Sequence, residues 1–219
     1  MAAIQSWRVY YQRFLGLGWA RVFLILGIVF VILALASPLW SDTDTEAPGD
    51  YITSTYGWTS VTGTVYHGGV WESTVIQSYN ARTFGDHAIA NSLGVSYVLL
   101  VVFLVVLFMV IAFFSLEWVH TLPSLGHLIV GLIVVVFALV ALLYPVLTVP
   151  AAAAADLSNP AVTGYWGSAG SLSWGAAAGW WFLLVGVILG ILGGLWPFLK
   201  SMRQPMVRPP PPREWQVER

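Results

Sequence analysis

The sequence contains no cysteine, so disulfide bonds, thiolate metal sites and a cysteine nucleophile are all excluded. Charge is also scarce, because Asp, Glu, Lys and Arg make up only 9% of the 219 residues, against about 25% in an average soluble chain. Hydrophobic residues make up 58%, more than a protein surrounded by water could cover with polar groups. The net charge of −1 argues against the basic face of a nucleic-acid-binding protein. We therefore expect an integral membrane protein that has the lipid bilayer as a partner.

Four apolar runs are each long enough to cross a bilayer core of about 30 Å as a helix. We assign membrane spans to residues 22–40, 93–116, 125–149 and 175–199. The segments outside the spans are residues 1–21, 41–92, 117–124, 150–174 and 200–219. This pattern predicts an α-helical membrane protein with a left-handed four-helix transmembrane bundle.

The basic residues lie mainly at the two ends of the chain. Eight of the nine Lys and Arg residues precede the first span or follow the last, and the loop 41–92 contains one Arg and six acidic residues. Because cytoplasmic segments retain Lys and Arg, we expect both termini and the loop 117–124 to be cytoplasmic. The two longer loops are then extracellular, in a plasma or cytoplasmic membrane.

The end of the first span allows an alternative interpretation. Ala34, Leu35 and Ala36 follow an apolar run in the pattern that signal peptidase cuts, and cleavage there would leave three spans. The charge pattern does not decide between these alternatives, because the C-terminus stays cytoplasmic in both. The long segment before Val22 favours an uncleaved span.

The first long loop contains residue types that favour β-strands. Two runs, 59–66 and 70–79, are rich in Thr, Val, Tyr and Trp, and His67, Gly68 and Gly69 join them. Two adjacent glycines suit a tight hairpin turn, and residues 51–56 form a further candidate strand. Before them lies an acidic stretch, 41–50, that contains Pro and Gly. We predict a small extracellular β-sheet here, followed by a short helix over residues 82–91.

Aromatic residues and glycines mark two candidate surfaces for contacts. Tryptophans in the two outer loops form the predicted interaction surface, with Trp71 and Trp166 as its main anchors. Glycines in the fourth span, several of them four residues apart, predict close helix packing, within the chain rather than in a dimer. The candidate interaction residues are Trp40, Trp58, Trp71, Trp166 and Trp174, and the candidate packing residues are Gly175, Gly179, Gly186, Gly190 and Gly194.

Residues that could support chemistry are few. The interiors of the spans lack ionisable side chains, which argues against a proton-coupled or ion-coupled transporter. Glu117, His120 and His127 include the spacing of a carboxylate-bridged metal site, although a solvated interfacial cluster explains them more simply. The sequence contains no phosphate-binding loop and no dinucleotide fingerprint. We expect no cofactor and no enzymatic activity.

The order of parts and three local motifs resemble a known family. Ser37, Pro38, Leu39 and Trp40 close the first span with a Pro-x-Trp pattern, residues 69–75 read Gly-Val-Trp-Glu-Ser-Thr-Val, and residues 175–194 are rich in glycine. Together they resemble the claudin and peripheral-myelin-protein type of tetraspan protein. The resemblance implies four spans, an extracellular sheet and contacts between membrane proteins. This sequence departs from the family at Thr74, where the family has a cysteine.

Three functional hypotheses follow. The first is a non-enzymatic four-span protein whose extracellular surface serves adhesion, barrier formation or complex assembly, with itself or another membrane protein as partner. The second is an accessory subunit of a membrane enzyme or transporter. The third is a metal-dependent membrane enzyme that uses Glu117, His120 and His127.

Overall fold

The computed structural model describes residues 18–80, 87–116 and 123–202. These residues form four long α-helices and one antiparallel sheet. Each helix is long and apolar enough to cross a membrane, as the sequence predicts. The helices are α1 (Gly18–Leu35), α2 (His87–Phe113), α3 (Ser124–Asp156) and α4 (Ala178–Met202).

Two helices extend beyond the spans predicted for them. Helix α2 begins at His87, so it includes part of the segment that the sequence assigns to the preceding loop. Helix α3 continues through Pro150 to Asp156, because the run of alanines after the proline favours helix. The helix thus continues beyond residue 149, where the predicted span ends.

The helices pack in a ring. Helix α4 packs against α1 and α3, α2 packs against α3, and a smaller contact between α1 and α2 closes the ring. Glycines allow the closest approaches: a Cβ atom on Gly27 of α1 would lie 3.2 Å from the carbonyl oxygen of Gly186 in α4. Apolar side chains gain little when they leave equally apolar lipid for a contact between helices, so close van der Waals packing of this kind stabilises the bundle.

Polar contacts join helices at both ends of the bundle. The Asp156 carboxylate at the end of α3 accepts hydrogen bonds from the backbone N–H groups of Ala88 (3.2 Å) and Ile89 (2.7 Å). It thereby caps the N-terminus of α2, where backbone donors lack partners within the helix. At the other end, the buried guanidinium of Arg21 donates to the carbonyl oxygen of Phe114 at 2.9 Å.

The sheet lies at the end of the bundle where α1 and α3 finish, which we call the sheet end. Its six strands are antiparallel and follow the spatial order β4, β3, β2, β1, β6, β5. The chain between α1 and α2 supplies four strands, and the chain between α3 and α4 supplies two. The strands are β1 (Trp40–Ala47), β2 (Asp50–Tyr56), β3 (Ser60–His67), β4 (Val70–Ser78), β5 (Gly167–Ala169) and β6 (Leu172–Ala176).

The hairpin predicted from the sequence is confirmed. Gly68 and Gly69 join β3 to β4 with φ angles of +60° and +78°, which residues other than glycine rarely adopt. The acidic stretch after Trp40, in which no strand is predicted from the sequence, contributes to the sheet. It forms β1, with hydrogen-bonded neighbours on both sides, and β6 pairs with it from Trp40 opposite Ala176 to Asp44 opposite Leu172.

Candidate interaction surface

The five tryptophans predicted to form one interaction surface lie in different environments. Trp40 is fully buried and Trp174 is 8% exposed, so neither is available to a partner. Trp58 is half-buried, and its indole N–H donates to the carbonyl oxygen of Ala34 at 3.1 Å. Only Trp71 and Trp166 are exposed, by 60% and 49%. The prediction of a single surface is therefore wrong.

Trp40 belongs to a group of buried contacts between the two segments of the chain that supply the strands. Its indole N–H donates to the carbonyl oxygen of Tyr165 at 3.2 Å, and the Tyr165 hydroxyl donates to the carbonyl oxygen of Leu39 at 3.1 Å. Its ring contacts Tyr56 at a centroid distance of 5.3 Å. Burial raises the pKa of the Tyr165 hydroxyl, which keeps it a neutral donor. We call Leu39, Trp40, Tyr56, Tyr165 and Trp174 the seam.

Trp174 completes the seam from strand β6. Its indole N–H donates to the carbonyl oxygen of Gly164 at 2.8 Å, and its ring covers Gly167, where a Cβ atom would lie 2.5 Å from the ring. On the neighbouring residue, Gly175, a Cβ atom would lie 2.8 Å from the ring of Trp166. Gly175 therefore accommodates an aromatic ring within β6 and does not lie in the fourth helix, contrary to the prediction.

The other four predicted packing glycines lie in α4 and contact elements of the same chain. Gly179 lies against the chain that follows α1, with Pro38 and Ser37 nearest. Gly186 contacts α1, Gly190 contacts α2 and Gly194 contacts α3. Placing glycine at these positions lets one helix approach three others closely.

Trp71 lies on β4, the edge strand of the sheet. Strand β4 pairs with β3 alone, so one side of its backbone has no neighbouring strand among the residues that the structure describes. Four large apolar side chains of this strand are exposed by 60% or more, and they lie on both faces of the sheet. They are Val70, Trp71, Val75 and Ile76.

An edge strand of this kind favours pairing with another chain. Proteins usually protect long edge strands with proline, charged residues, β-bulges or a short length. Strand β4 spans nine residues without proline or lysine. Glu72 is its one charged residue, and it lies at the one irregularity in the pairing of β4 with β3, between Trp71 and Ser73. The opposite edge, β5, spans three residues. The exposed Trp166 precedes β5, so about 24 Å of sheet, five strand spacings, separates it from Trp71.

One face of the sheet is lined by hydroxyl groups and aromatic rings. Thr43, Thr53, Thr64 and Thr74 stand opposite one another across four strands. The Trp71 indole N–H donates to the Thr74 hydroxyl at 2.9 Å, which places Trp71 on this face. The neighbouring rows are Tyr51, Tyr66 and Trp71 on the side of the turns, and Ser41, Thr55, Thr62 and Ile76 on the side of the helices.

These three rows, which we call the hydroxyl face, contain no charged residue. Side chains alternate between the faces of a strand, so Asp42 and Asp44 of β1 lie on the opposite face. Asp42 is 6% exposed, and Asp44 accepts a hydrogen bond from the Ser171 hydroxyl at 2.6 Å. The two acidic side chains of β1 thus lie on the face opposite these three rows.

The metal hypothesis concerns the opposite end of the bundle. Glu117 and His120 lie outside the described residues, and His127 lies near the start of α3 with 9% of its surface exposed. Across residues 18–80, 87–116 and 123–202, no group of three His, Asp or Glu side chains is arranged to hold a metal ion.

No protein-family model matches this chain, and no curated protein matches it in sequence.

Proposed function

We propose that this chain is a non-enzymatic multi-pass membrane protein that joins two membranes by pairing β4 with β4 of a second copy. The observation that carries the proposal is the exposed edge strand, with four large apolar side chains and an open row of backbone donors and acceptors. Edge pairing of this kind supplies affinity through backbone hydrogen bonds and specificity through side chains. The proposal includes shared architecture with the claudin and peripheral-myelin-protein type of tetraspan.

The proposal places the sheet outside the cell. Lys and Arg concentrate at the two ends of the chain, and this supports cytoplasmic termini. Four membrane helices and two cytoplasmic termini put both long loops on the external side. Because these loops supply all six strands, β4 is then available to another membrane surface.

The single charge on β4 favours an antiparallel arrangement. In an antiparallel pair centred on Thr74, Glu72 of one copy lies opposite Ile76 of the other. In a parallel, in-register pair, each Glu72 would lie beside its own equivalent, and neighbouring like charges destabilise a sheet. A pair that is symmetric about a two-fold axis also uses the same surface on both copies.

The direction of β4 determines where the two helix bundles lie when two copies pair. Strand β1 follows the end of α1, and β2 returns to Tyr56, whose carbonyl oxygen accepts a hydrogen bond from the Leu39 N–H at 2.9 Å. The turns at Gly49 and at Gly68 and Gly69 are therefore distant from the helices, and β4 runs back toward the bundle. Antiparallel pairing inverts one copy relative to the other, so the two bundles lie at opposite ends of the joined sheets.

Docking of vesicles tests this proposal. The full chain is reconstituted into two vesicle populations with different dyes, and docking is measured by energy transfer between them. We expect docking with the native chain, and docking at the level of protein-free vesicles for Ile76→Glu, because each new carboxylate would lie opposite Glu72 of the other copy, and like charges directly opposite each other destabilise a sheet. Ile52→Glu is the matched control, since Ile52 is exposed on the inner strand β2. Docking that survives Ile76→Glu contradicts the proposal.

The lack of native cysteine allows the orientation to be tested directly. One vesicle population contains Glu72→Cys and the other Ile76→Cys. Antiparallel pairing centred on Thr74 predicts disulfide formation between the two variants after mild oxidation. Crosslinking of Glu72→Cys with itself, within one vesicle population, would instead indicate parallel pairing in one membrane and would overturn adhesion between membranes.

A further inference from the structure

An open cavity of about 470 Å³ lies where the hydroxyl face meets the helices. Its volume is within the range of about 300 to 1,000 Å³ that small-molecule sites occupy. One wall includes Leu35 at the end of α1 and Tyr97 in the first half of α2. The other wall is the base of β2 and β3. The cavity therefore bridges the predicted membrane helices and the sheet.

The lining combines hydroxyl groups with apolar surface. Thr55, Ser60 and Thr62 supply hydroxyl groups from the sheet and Ser37 supplies one from the chain after α1, whereas Leu35 of α1, Tyr97 of α2 and Trp58 between β2 and β3 supply apolar surface. The rings of Trp58 and Tyr97 lie 5.7 Å apart and are tilted by 53°, so they form an aromatic corner. The hydrogen bond from Trp58 to the carbonyl oxygen of Ala34 holds its ring in place. Trp and Tyr occupy such positions at membrane interfaces.

None of the described residues that line the cavity carries a charge. The nearest row of the sheet continues this pattern, since Thr55 and Thr62 belong to the hydroxyl face, and Asp42 and Asp44 lie on the other face. A phosphate or carboxylate group would find no cation among these lining residues to pair with it. Hydroxyl groups both donate and accept hydrogen bonds, so the lining suits a neutral ligand that carries many hydroxyls.

We propose that this cavity binds the uncharged sugar headgroup of a membrane glycolipid. The sugar hydroxyls meet Thr55, Ser60 and Thr62, an apolar sugar face lies against the aromatic corner, and the acyl chains follow the apolar surface of α1 and α2. The inference rests on the membrane placement proposed above and is independent of pairing through β4. Failure of vesicle docking therefore leaves it unaffected.

Photolabelling in lipid discs tests the site. The full chain is placed in phosphatidylcholine discs that contain a trace of photoreactive diglucosyl diacylglycerol, and labelled peptides are identified by mass spectrometry. We expect labelling of the cavity lining. Thr62→Val removes one hydroxyl at nearly constant shape and should reduce labelling by about twofold to tenfold, the value of one hydrogen bond. Thr64→Val is the matched control, because Thr64 lies on the same strand and face but outside the cavity.

A second variant and other photoreactive lipids test the site if Thr62→Val does not fold. Tyr97→Leu changes a side chain that is 43% exposed, and it should also reduce labelling. Equal labelling of the native chain, Thr62→Val and Tyr97→Leu would overturn the site. Equal labelling by photoreactive phosphatidylcholine or phosphatidylglycerol would show a general lipid contact and would overturn selectivity for a sugar. Displacement of the probe by free maltose at the same concentration would indicate a soluble saccharide and overturn the assignment to a lipid.

Discussion

The seam and the edge strand β4 each contain a tryptophan of the same sheet, but the tryptophan is buried in the seam and exposed on β4. In the seam, Trp40 has no exposed surface, and its indole N–H has a partner from the other segment of the chain that supplies strands. On β4, Trp71 is 60% exposed, and its indole N–H contacts a residue three positions away on the same strand. A large aromatic side chain therefore stabilises the fold in one region and remains available to a partner in the other.

This difference follows from the neighbours of each strand. Strand β1 lies between β2 and β6 and directly follows α1, so its side chains at the helix end are enclosed. Strand β4 has one neighbour, and its apolar side chains face solvent on both sides of the sheet. Because buried and exposed aromatic side chains differ several-fold in their effect on stability, substitutions in the two regions should give clearly different results.

The largest expected difference is between Trp40→Ala and Trp71→Ala. Trp40→Ala leaves a cavity and removes the bond to Tyr165, and it should reduce the free energy of unfolding by about 3 to 5 kcal/mol. Trp71→Ala should change it by no more than about 0.5 kcal/mol. Denaturant unfolding of the purified chain in one detergent measures both. Equal destabilisation by the two substitutions would contradict the division between seam and edge.

A smaller difference in stability is expected between Gly179→Ala and Gly63→Ala. A Cβ atom on Gly179 would lie 2.7 Å from the carbonyl oxygen of Pro38, whereas one on Gly63 of β3 would lie 3.9 Å from the carbonyl oxygen of Val75. Gly179→Ala therefore forces a backbone shift where α4 meets the chain after α1, and it should cost about 1 to 3 kcal/mol. Gly63→Ala should be tolerated. Thermal unfolding of the two variants provides the test, and a more stable Gly179→Ala variant would refute the close contact.

The smallest expected difference in stability is between Asp156→Ala and Glu72→Ala. Asp156→Ala removes the cap of α2 at the sheet end and should reduce stability by about 1 to 2 kcal/mol. Glu72→Ala on β4 makes the same change in net charge and should be nearly neutral. Hydrogen exchange at the amides of Ala88 and Ile89 gives a local readout. Unchanged protection in Asp156→Ala would show that this carboxylate does not stabilise the helix terminus.

Several parts of the fold could be predicted because their signals are local. Apolar runs of sufficient length identified the four helices, and the β-forming residues on either side of Gly68 and Gly69 identified the hairpin. Strand β1 could not be recognised in this way. Its acidic residues and the following Pro and Gly are typical of a connection, and its pairing depends on β2 and on the distant β6.

The roles of individual tryptophans could be predicted only in part. Sequence position placed them near the helix ends or in the outer loops, but burial depends on strand order. Trp40 and Trp71 are both in the loop region before α2, and only the sheet topology encloses one and exposes the other. The cavity beneath the hydroxyl face was not predicted at all, because its lining comes from three separate parts of the chain, namely the end of α1, the β2–β3 hairpin and α2.

The pairing of β1 with β6 has a consequence for biosynthesis. Trp40 is synthesised early, but its partner Ala176 follows only after α2 and α3 have been made. One side of β1 therefore lacks its native neighbour until the chain between α3 and α4 has been synthesised. The four-stranded part of the sheet can form first, whereas the seam can close only near the end of translation. A chain truncated before β6 should thus expose an unpaired strand and the aromatic side chains that the seam normally encloses.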